Sequence, residues 1–442
     1  VDVRDSPELA DTGKVKGALN VSRGMLEFRA DSSTPFHNKV FSKDKTVVVT
    51  GLSAITPLGE SVDEFWASLC KGESGIGPIT LCDPSPFPCR IAGEVSNFDP
   101  STYMDPKDAK RMARFSQLAV AAARKAIKHA DLDISSYPNS DRIGVVMGNG
   151  NGGFPTTEEN ARLLFSRGGM KVNPFFIPMI LPNMAAANVS RIFGIKGYTS
   201  TIITACAAGT QAIGESYEII KRGDADVILA GGCEAGISQL GLGGFNVIKA
   251  LTKQNDPPHK ASRPFDANRD GFVPAEGSAI LVLETLEHAL NRGANIYAKI
   301  SGQGVSSDAY HAVQPDENGD GAARAIKNAL TNSKLSATDI DYINAHGTST
   351  PLNDLAETLA IKKIFGDEGA PPISSTKSMI GHALGGAGAI EAIACVKSIA
   401  HQTIHPTINQ EVADPLCNLD YVPNVPREHK VDTVLSNSFG FG

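Results

Sequence analysis

Apolar residues along this chain fall into alternating short and long runs. The first clear run, TVVVTGLSAITPLG from Thr46, is β-branched and ends in Gly and Pro turn signals, which predicts a strand. Helical spacing follows at 63–70 and at about 107–130, where RFSQLAVAAARKAIKHA repeats apolar side chains with a helical period; a Pro- and Asp-rich loop separates the two. RIGVVMG (142–148), DVILAG (226–231) and SAILVLE (278–284) are apolar on both faces and predict buried strands. FFIPMILPNMAAANVSRIF (175–193) is apolar but broken by Pro178 and Pro182. The C-terminal part repeats the alternation, with strands predicted near 297–305, 340–345, 373–376 and 432–438 and helices at 320–332, 353–364 and 384–400. Apolar strands alternating with helices predict a mostly parallel α/β architecture.

Two places in that alternation carry chemistry. In TACAAGTQAIG (204–214), Cys206 follows the apolar Ile202 and Ile203 and precedes a helical pattern, which predicts a turn between a buried strand and a helix N-terminus. Such a terminus lowers a thiol's pKa and offers unpaired N–H groups to an oxyanion. The stretch taken alone leaves a buried structural cysteine equally open. In ISSTKSMIGHALGGAGAIEAIACV, a strand leads through His382 into another small-residue helix, as if the first half were duplicated; two facing halves would bring Cys206 and His382 to one site. His346, in NAHGTSTPLND, projects from the end of the strand IDYIN, where α/β active sites gather. A lone histidine there is more often structural, but three such strand ends beside small residues are harder to dismiss. One thiol with two histidines suits acyl transfer in which N–H donors hold an enolate oxygen.

Composition narrows the picture. The 442 residues are 41% hydrophobic and 20% charged, an ordinary globular balance, and a net charge of −7 argues against bulk nucleic-acid binding. No apolar run reaches the ~18 residues of a membrane span. The seven cysteines, at 70, 82, 89, 206, 233, 395 and 417, lack metal-ligand spacing, and their odd number fits a reducing compartment. The expectation is a soluble protein, cytoplasmic or organellar (plastid or mitochondrion). The glycine-rich NGNGG (149–153) is too irregular for a dinucleotide fingerprint.

TACAAGTQ, NAHGTSTPLND, STKSMIGHALGGAGAIEA and SNSFGFG, together with SRPFDANRDGFVPAEGSAILVLE (262–284), resemble in order and spacing the signature blocks of the elongating β-ketoacyl-acyl-carrier-protein synthases, from Thr46 to Gly442. The resemblance implies a thiolase-like duplicated α/β fold, layered αβαβα, with an N-terminal half at 43–297 and a C-terminal half at 298–442. It implies that Cys206 takes the acyl chain, that His346 and His382 promote decarboxylation of malonyl-carrier protein, and that Lys377 supports the histidines. Backbone N–H groups of Cys206 and Phe441 would form the oxyanion hole, with Phe441 also gating. Thr348 and Thr350 match positions that contact the phosphopantetheine arm, Phe439 joins the substrate-binding set, and Thr157 matches a position that limits the acyl pocket at a dimer interface. Glu357 either joins the supporting network or is an exposed helix carboxylate. Lys107, Lys110 and Arg111 align with a docking patch for the acidic carrier protein, a steering role that suits an otherwise acidic protein.

The resemblance further implies a homodimer paired through 194–206, acyl-carrier protein as partner, malonyl and acyl thioesters as substrates, and no metal or organic cofactor. The reaction implied is chain elongation by decarboxylative Claisen condensation; a polyketide-type ketosynthase and an inactive fold-derived binding protein are the alternatives. Thiolases need a second cysteine near the C-terminal glycine loop, which SNSFGFG lacks, and the initiating synthases replace one histidine by asparagine. Tyr198 and Ala187 stand where the family often has proline and glycine, so pocket shape is expected to differ. Relatives continue past GFG with a further strand, and on that comparison a truncated end is expected.

Residues 1–42 differ in texture. VDVRDSPELADTGKVKGALNVSRGMLEFRAD resembles part of a rhodanese-like domain, yet the first cysteine, Cys70, already lies in another pattern, so sulfurtransferase activity is not expected.

Overall fold

The computed structural model describes residues 45–135 and 140–441; the rhodanese-like stretch lies outside the described residues. Strands β1 (Val47–Ile55), β2 (Ile143–Gly148), β3 (Thr199–Ile202), β4 (Val227–Glu234), β5 (Gly277–Thr285) and β6 (Ala298–Ile300) form one sheet in the order β3-β2-β4-β5-β1-β6. The period-two alternation of these strands sorts their side chains onto two helical layers. Val145, Met147, Val227, Leu229, Ile280 and Val282 face helix α1 (Arg114–His129) in one core. Their sequence neighbours Val146, Ile228, Ala230, Ala279, Leu281 and Leu283 share a second core with helix α2 (Ala208–Arg222) and with a helix near the C-terminal end. Each fully buried Val, Leu or Ile contributes about 1.5–3 kcal/mol, so neither face can be turned outward without losing the sheet's main support.

A second sheet holds β7 (Tyr342–Asn344), β8 (Ile373–Ser374) and β9 (Val434–Ser436), with β7 central and both pairings parallel. Helices α3 (Asp320–Ser333) and α4 (Pro351–Phe365) cover one face through Ile326, Leu330, Ala360 and Ile361 against Ile343 and Ile373. Between the two sheets run α2 and α5 (Ala387–His401); α5 is buried on nearly every side, as an apolar helix between two sheets must be. The result is the expected αβαβα layering.

The expectation of a mostly parallel architecture needs correction. In the first sheet β2 pairs parallel with β3 and β4, but β4–β5, β5–β1 and β1–β6 are all antiparallel. Strands covered on both faces read as continuously apolar whichever way they run, so the sequence pattern carried no direction. Boundaries also moved. The 107–130 helix is split by the turn before Arg114, the 297–305 strand shortens to 298–300, and the 373–376 strand gives way at Lys377 to a helical turn. The strand before Cys206 is an edge strand, not a buried one: Thr199 is exposed, and Ile203, just beyond its end, is 56% exposed.

Candidate active site

Two helix N-termini meet at the site. Helix α2 begins just after Cys206 and α5 five residues after His382, and neither has a side-chain N-cap, so their first N–H groups are not consumed by a capping side chain. Glycines allow the approach. A Cβ on Gly388 would lie 2.0 Å from Thr210 Oγ1 and 2.7 Å from its backbone N, and one on Gly209 would lie 2.9 Å from the N of Ala389. Each turn also contains a non-glycine residue in the left-handed region, Ala205 (φ 47°) and Leu384 (φ 43°), at a cost of roughly 1–3 kcal/mol apiece.

Cys206, His346 and His382 are all buried, and Sγ and one ring nitrogen of each histidine lie within 4.8 Å of one another. The sequence placed these residues at separate strand ends; the fold brings them together. The His346 and His382 rings meet edge to face at 5.3 Å, His382 packs on Phe272 at 5.2 Å, and His346 on Phe439 at 5.6 Å. These atoms sit in a cavity of about 1630 Å³, whose wall includes Thr348, Thr350, Phe439 and Phe441.

The backbone at each histidine is tied down. His382 donates its N–H to Val273 O at 2.8 Å and accepts from Ala275 N at 3.0 Å, so the FVPAEG stretch holds it like a short strand pair. The N–H groups of His346 and Gly347 both donate to Glu357, at 2.8 Å each, and Glu357 also accepts from Asn437 Nδ2 at 3.1 Å. Glu357 is therefore a buried clamp between the His346 loop and the terminal SNSFGF loop, not an exposed helix carboxylate. Lys377 Nζ donates to His346 O at 2.6 Å and forms a buried ion pair with Glu391. Thr348 and Thr350 hydroxyls are 2.8 Å apart, and Thr348 N–H donates to Asp354 at 3.0 Å. The terminal loop packs over the cysteine turn: a Cβ on Gly440 would lie 2.5 Å from Thr204 O and 3.4 Å from Cys206 N.

Electrostatics depart from the sequence expectation at the thiol. Burial pushes Cys206 up to about 12, with the Lys377 charge pulling the other way but losing. Burial also holds His346 and His382 well below the usual imidazole range, reinforced in both by Lys377. The resting site is thus a neutral thiol facing two neutral imidazoles. Glu357 is raised to about 7 by burial, opposed by the Gly347, His346 and Asn437 hydrogen bonds.

Several expected residues lie elsewhere. Thr157, whose hydroxyl donates to Gly153 O at 3.0 Å, does not line this cavity; it faces a separate groove of about 610 Å³ with Ala161, Phe165 and Leu240. Lys107, Lys110 and Arg111 are exposed, and the Arg111 guanidinium stacks over the Phe175 ring at 4.8 Å. Sequence reasoning missed Glu391, Phe272, Asn437 and Asp354. Glu391 had a signal, being the lone charge in the apolar stretch AGAIEAIACV, where a carboxylate needs a buried partner.

A duplicated αβαβα fold with a cysteine and a histidine at its paired helix N-termini, and a second histidine just past the end of β7, is that of a thiolase-like condensing enzyme. The chain belongs to the beta-ketoacyl synthase family: the family's N-terminal domain matches residues 44–289 and its C-terminal domain residues 297–411. It is 49% identical over 399 residues to the 3-oxoacyl-acyl-carrier-protein synthase 2 of Synechocystis sp., covering 90% of this chain and 96% of the relative. Among solved structures it resembles a beta-ketoacyl synthase from Burkholderia phymatum (37% identity, TM-score 0.84, 90% of this chain and 97% of that one). It also resembles a type II polyketide ketosynthase bound to a hexaketide and in complex with its acyl-carrier protein (36% identity, TM-score 0.82, 90% and 96% covered).

Proposed function

We propose that this enzyme elongates fatty acyl chains, condensing an acyl thioester on Cys206 with malonyl-acyl-carrier protein to give 3-oxoacyl-acyl-carrier protein and CO2. The observation that carries the reading is the meeting of one thiol and two imidazole nitrogens within 4.8 Å at the base of a cavity. In the first step Cys206 Sγ attacks the acyl carbonyl, the C–S bond to the pantetheine breaks, and the pantetheine leaves as a thiol. Because burial keeps the Cys206 thiol neutral, attack is coupled to loss of its proton, for which the imidazole lone pairs are near acceptors. The oxyanion is held by backbone N–H groups of Cys206 and Phe441, each such donor supporting roughly 3–4 kcal/mol of transition-state stabilisation.

In the second step malonyl loses CO2, and the enolate oxygen takes N–H hydrogen bonds from His346 and His382. A neutral imidazole has one N–H to give and no charge to lose, so rings held neutral by burial suit this task. The enolate carbon attacks the acyl-Cys206 carbonyl, a C–C bond forms, and the thiolate departs and is reprotonated. Lys377 and Glu357 act as positioning residues through the His346 backbone, and Thr348 and Thr350 bind the phosphopantetheine arm. Lys107, Lys110 and Arg111 steer the acidic carrier protein. No metal or organic cofactor enters these steps.

The working unit is a homodimer. Edge strand β3 and exposed Phe165 (87%), Met170 (95%), Ile177 (58%), Ile203 (56%) and Val247 (82%) form the kind of apolar surface that a partner covers. In that assembly the Thr157 groove closes against the second chain, and the small side chain admits medium-to-long acyl groups. We read residues 43–297 and 298–442 as the two halves of the catalytic unit, and 1–42 as a rhodanese-like fragment and linker with no part in the reaction. Polyketide extension is the second reading, favoured by the likeness to the hexaketide-bound ketosynthase; the higher identity to the 3-oxoacyl synthases favours the first. The test separates the steps. Cys206→Ala should lose acyl loading and condensation together, whereas His346→Ala and His382→Ala should retain some loading and lose malonyl decarboxylation. A Cys206→Ala enzyme that still condensed would overturn the assignment.

A further inference from the structure

The three side chains at the base of the cavity are also a set of soft metal ligands. A thiolate with two imidazoles is a common donor set for Zn²⁺, and three protein ligands leave the fourth position open. Here Sγ of Cys206 and one nitrogen each of His346 and His382 lie within 4.8 Å of one another. In a tetrahedral zinc site, with Zn–S near 2.3 Å and Zn–N near 2.0–2.1 Å, ligand atoms stand roughly 3.3–3.6 Å apart. Closing the set onto an ion therefore takes at most about 1.5 Å of approach between ligand atoms.

Two further observations point the same way. Nδ1 of His346 and both ring nitrogens of His382 are buried without a hydrogen-bond partner, so a metal would displace no existing protein bond at those atoms. The Lys377 charge is felt by all three side chains and opposes a cation there, an opposition that its direct contact with Glu391 reduces and that binding through a thiolate has to outweigh. The cavity reaches the surface beside Phe441, which is 40% exposed, so an ion has a route in.

We propose that Zn²⁺ binds reversibly to Cys206, His346 and His382 and holds the enzyme in an inactive, acyl-free state. On binding, the Cys206 S–H proton is released to solvent, one Zn–S and two Zn–N bonds form, and water or a free thiol takes the fourth position. No electron is transferred. Sγ is then unavailable as a nucleophile, and neither ring can face an enolate. An acyl group on Cys206 removes the thiolate ligand, so acyl loading and Zn²⁺ exclude each other. The metal site rests on the three side chains alone; only its inhibitory consequence rests on the function proposed above.

Binding is read first without activity. In a Cys70→Ser/Cys82→Ser background, which removes the two cysteines that are not buried, one equivalent of Co²⁺ should give a thiolate-to-cobalt charge-transfer band that Zn²⁺ abolishes. Cys206→Ala should lose the band, and His346→Ala and His382→Ala should each weaken binding at least tenfold. As a check needing no active-site variant, one equivalent of Zn²⁺ should slow iodoacetamide alkylation of Cys206 at least tenfold, with chelator restoring the rate. The absence of the band, a band indifferent to both histidine variants, or alkylation unchanged by Zn²⁺ would overturn the site. Condensation assayed in chelator keeps the two claims apart: an active enzyme without the cobalt band removes the metal site alone, and a cobalt band on a protein that never accepts acyl groups removes the catalytic reading alone.

Discussion

Replacing Lys377 by methionine tests the electrostatic frame beneath the histidines. The lysine side chain is 1% exposed and its partner Glu391 is 0% exposed, and Lys377 Nζ also donates to the His346 carbonyl at 2.6 Å. Removing one partner of a buried pair costs about 3–5 kcal/mol, because the other charge is left in a low-dielectric interior. Glu391 can escape by taking up a proton, and burial already raises its carboxyl. Neutralising a carboxyl of ordinary pKa near 4.3 at pH 7 costs about 1.4 kcal/mol per pH unit, or roughly 4 kcal/mol in all. That figure caps the carboxyl's share of the loss at pH 7. The sign follows from linkage. In Lys377→Met the folded-state pKa of Glu391 is raised above its unfolded value, so its contribution is fully present below the unfolded carboxyl range and is lost as pH rises toward the folded value.

Calorimetry should therefore show Lys377→Met about 3–4 kcal/mol less stable than wild type at pH 7, with the gap narrowing to about 1–2 kcal/mol near pH 5, where mainly the lost carbonyl hydrogen bond remains. Adding Glu391→Leu should recover most of the stability and flatten the pH dependence, since an apolar replacement of both partners is often neutral or better. Malonyl decarboxylation should stay impaired in the double variant, because nothing then holds the His346 carbonyl. A single variant as stable as wild type at pH 7, or a loss that does not change with pH, would refute this reasoning.

Other outcomes follow from the same geometry. Glu357→Ala should cost about 1–3 kcal/mol for each of the two buried backbone N–H groups it strands, besides leaving the Asn437 amide without this acceptor, and should lower the rate of malonyl decarboxylation more than that of acyl loading, measured separately. With Glu357 raised from 4.5 to about 7, wild-type stability should fall as pH rises through that interval, and Glu357→Gln should reduce the slope in a pH series of melting curves. Ile203→Glu or Val247→Glu, placed on the exposed apolar surface, should shift sedimentation from dimer toward monomer; a wild-type monomer with full activity would refute the dimer.

The sequence made the chemistry legible earlier than the geometry. Cys206, His346 and His382 could be singled out because each stands at the end of an apolar run beside small residues, and the glycines at 209 and 388 belong to those same runs for a steric reason. Strand direction was not legible, since β1, β4 and β5 are covered on both faces and their apolar pattern is indifferent to orientation. Nor was the thiol's environment. A helix N-terminus predicts a lowered pKa from one local effect, whereas desolvation depends on every element that closes over Cys206, and it prevails. Glu357 looked ambiguous because a carboxylate on a helix is exposed or buried according to what packs on it, here the His346 and Asn437 loops.

The central claim is that Cys206 carries the acyl chain and that the two histidines serve the malonyl half of the reaction. Its most direct test is intact-protein and peptide mass spectrometry after mixing the enzyme with acyl-loaded acyl-carrier protein, followed by malonyl-loaded carrier. The account predicts one acyl group per chain, on the peptide containing Cys206, that disappears on adding malonyl carrier as 3-oxoacyl carrier forms with release of CO2. Acylation at another residue, or an acyl-Cys206 that persists while 3-oxoacyl product accumulates, would contradict it.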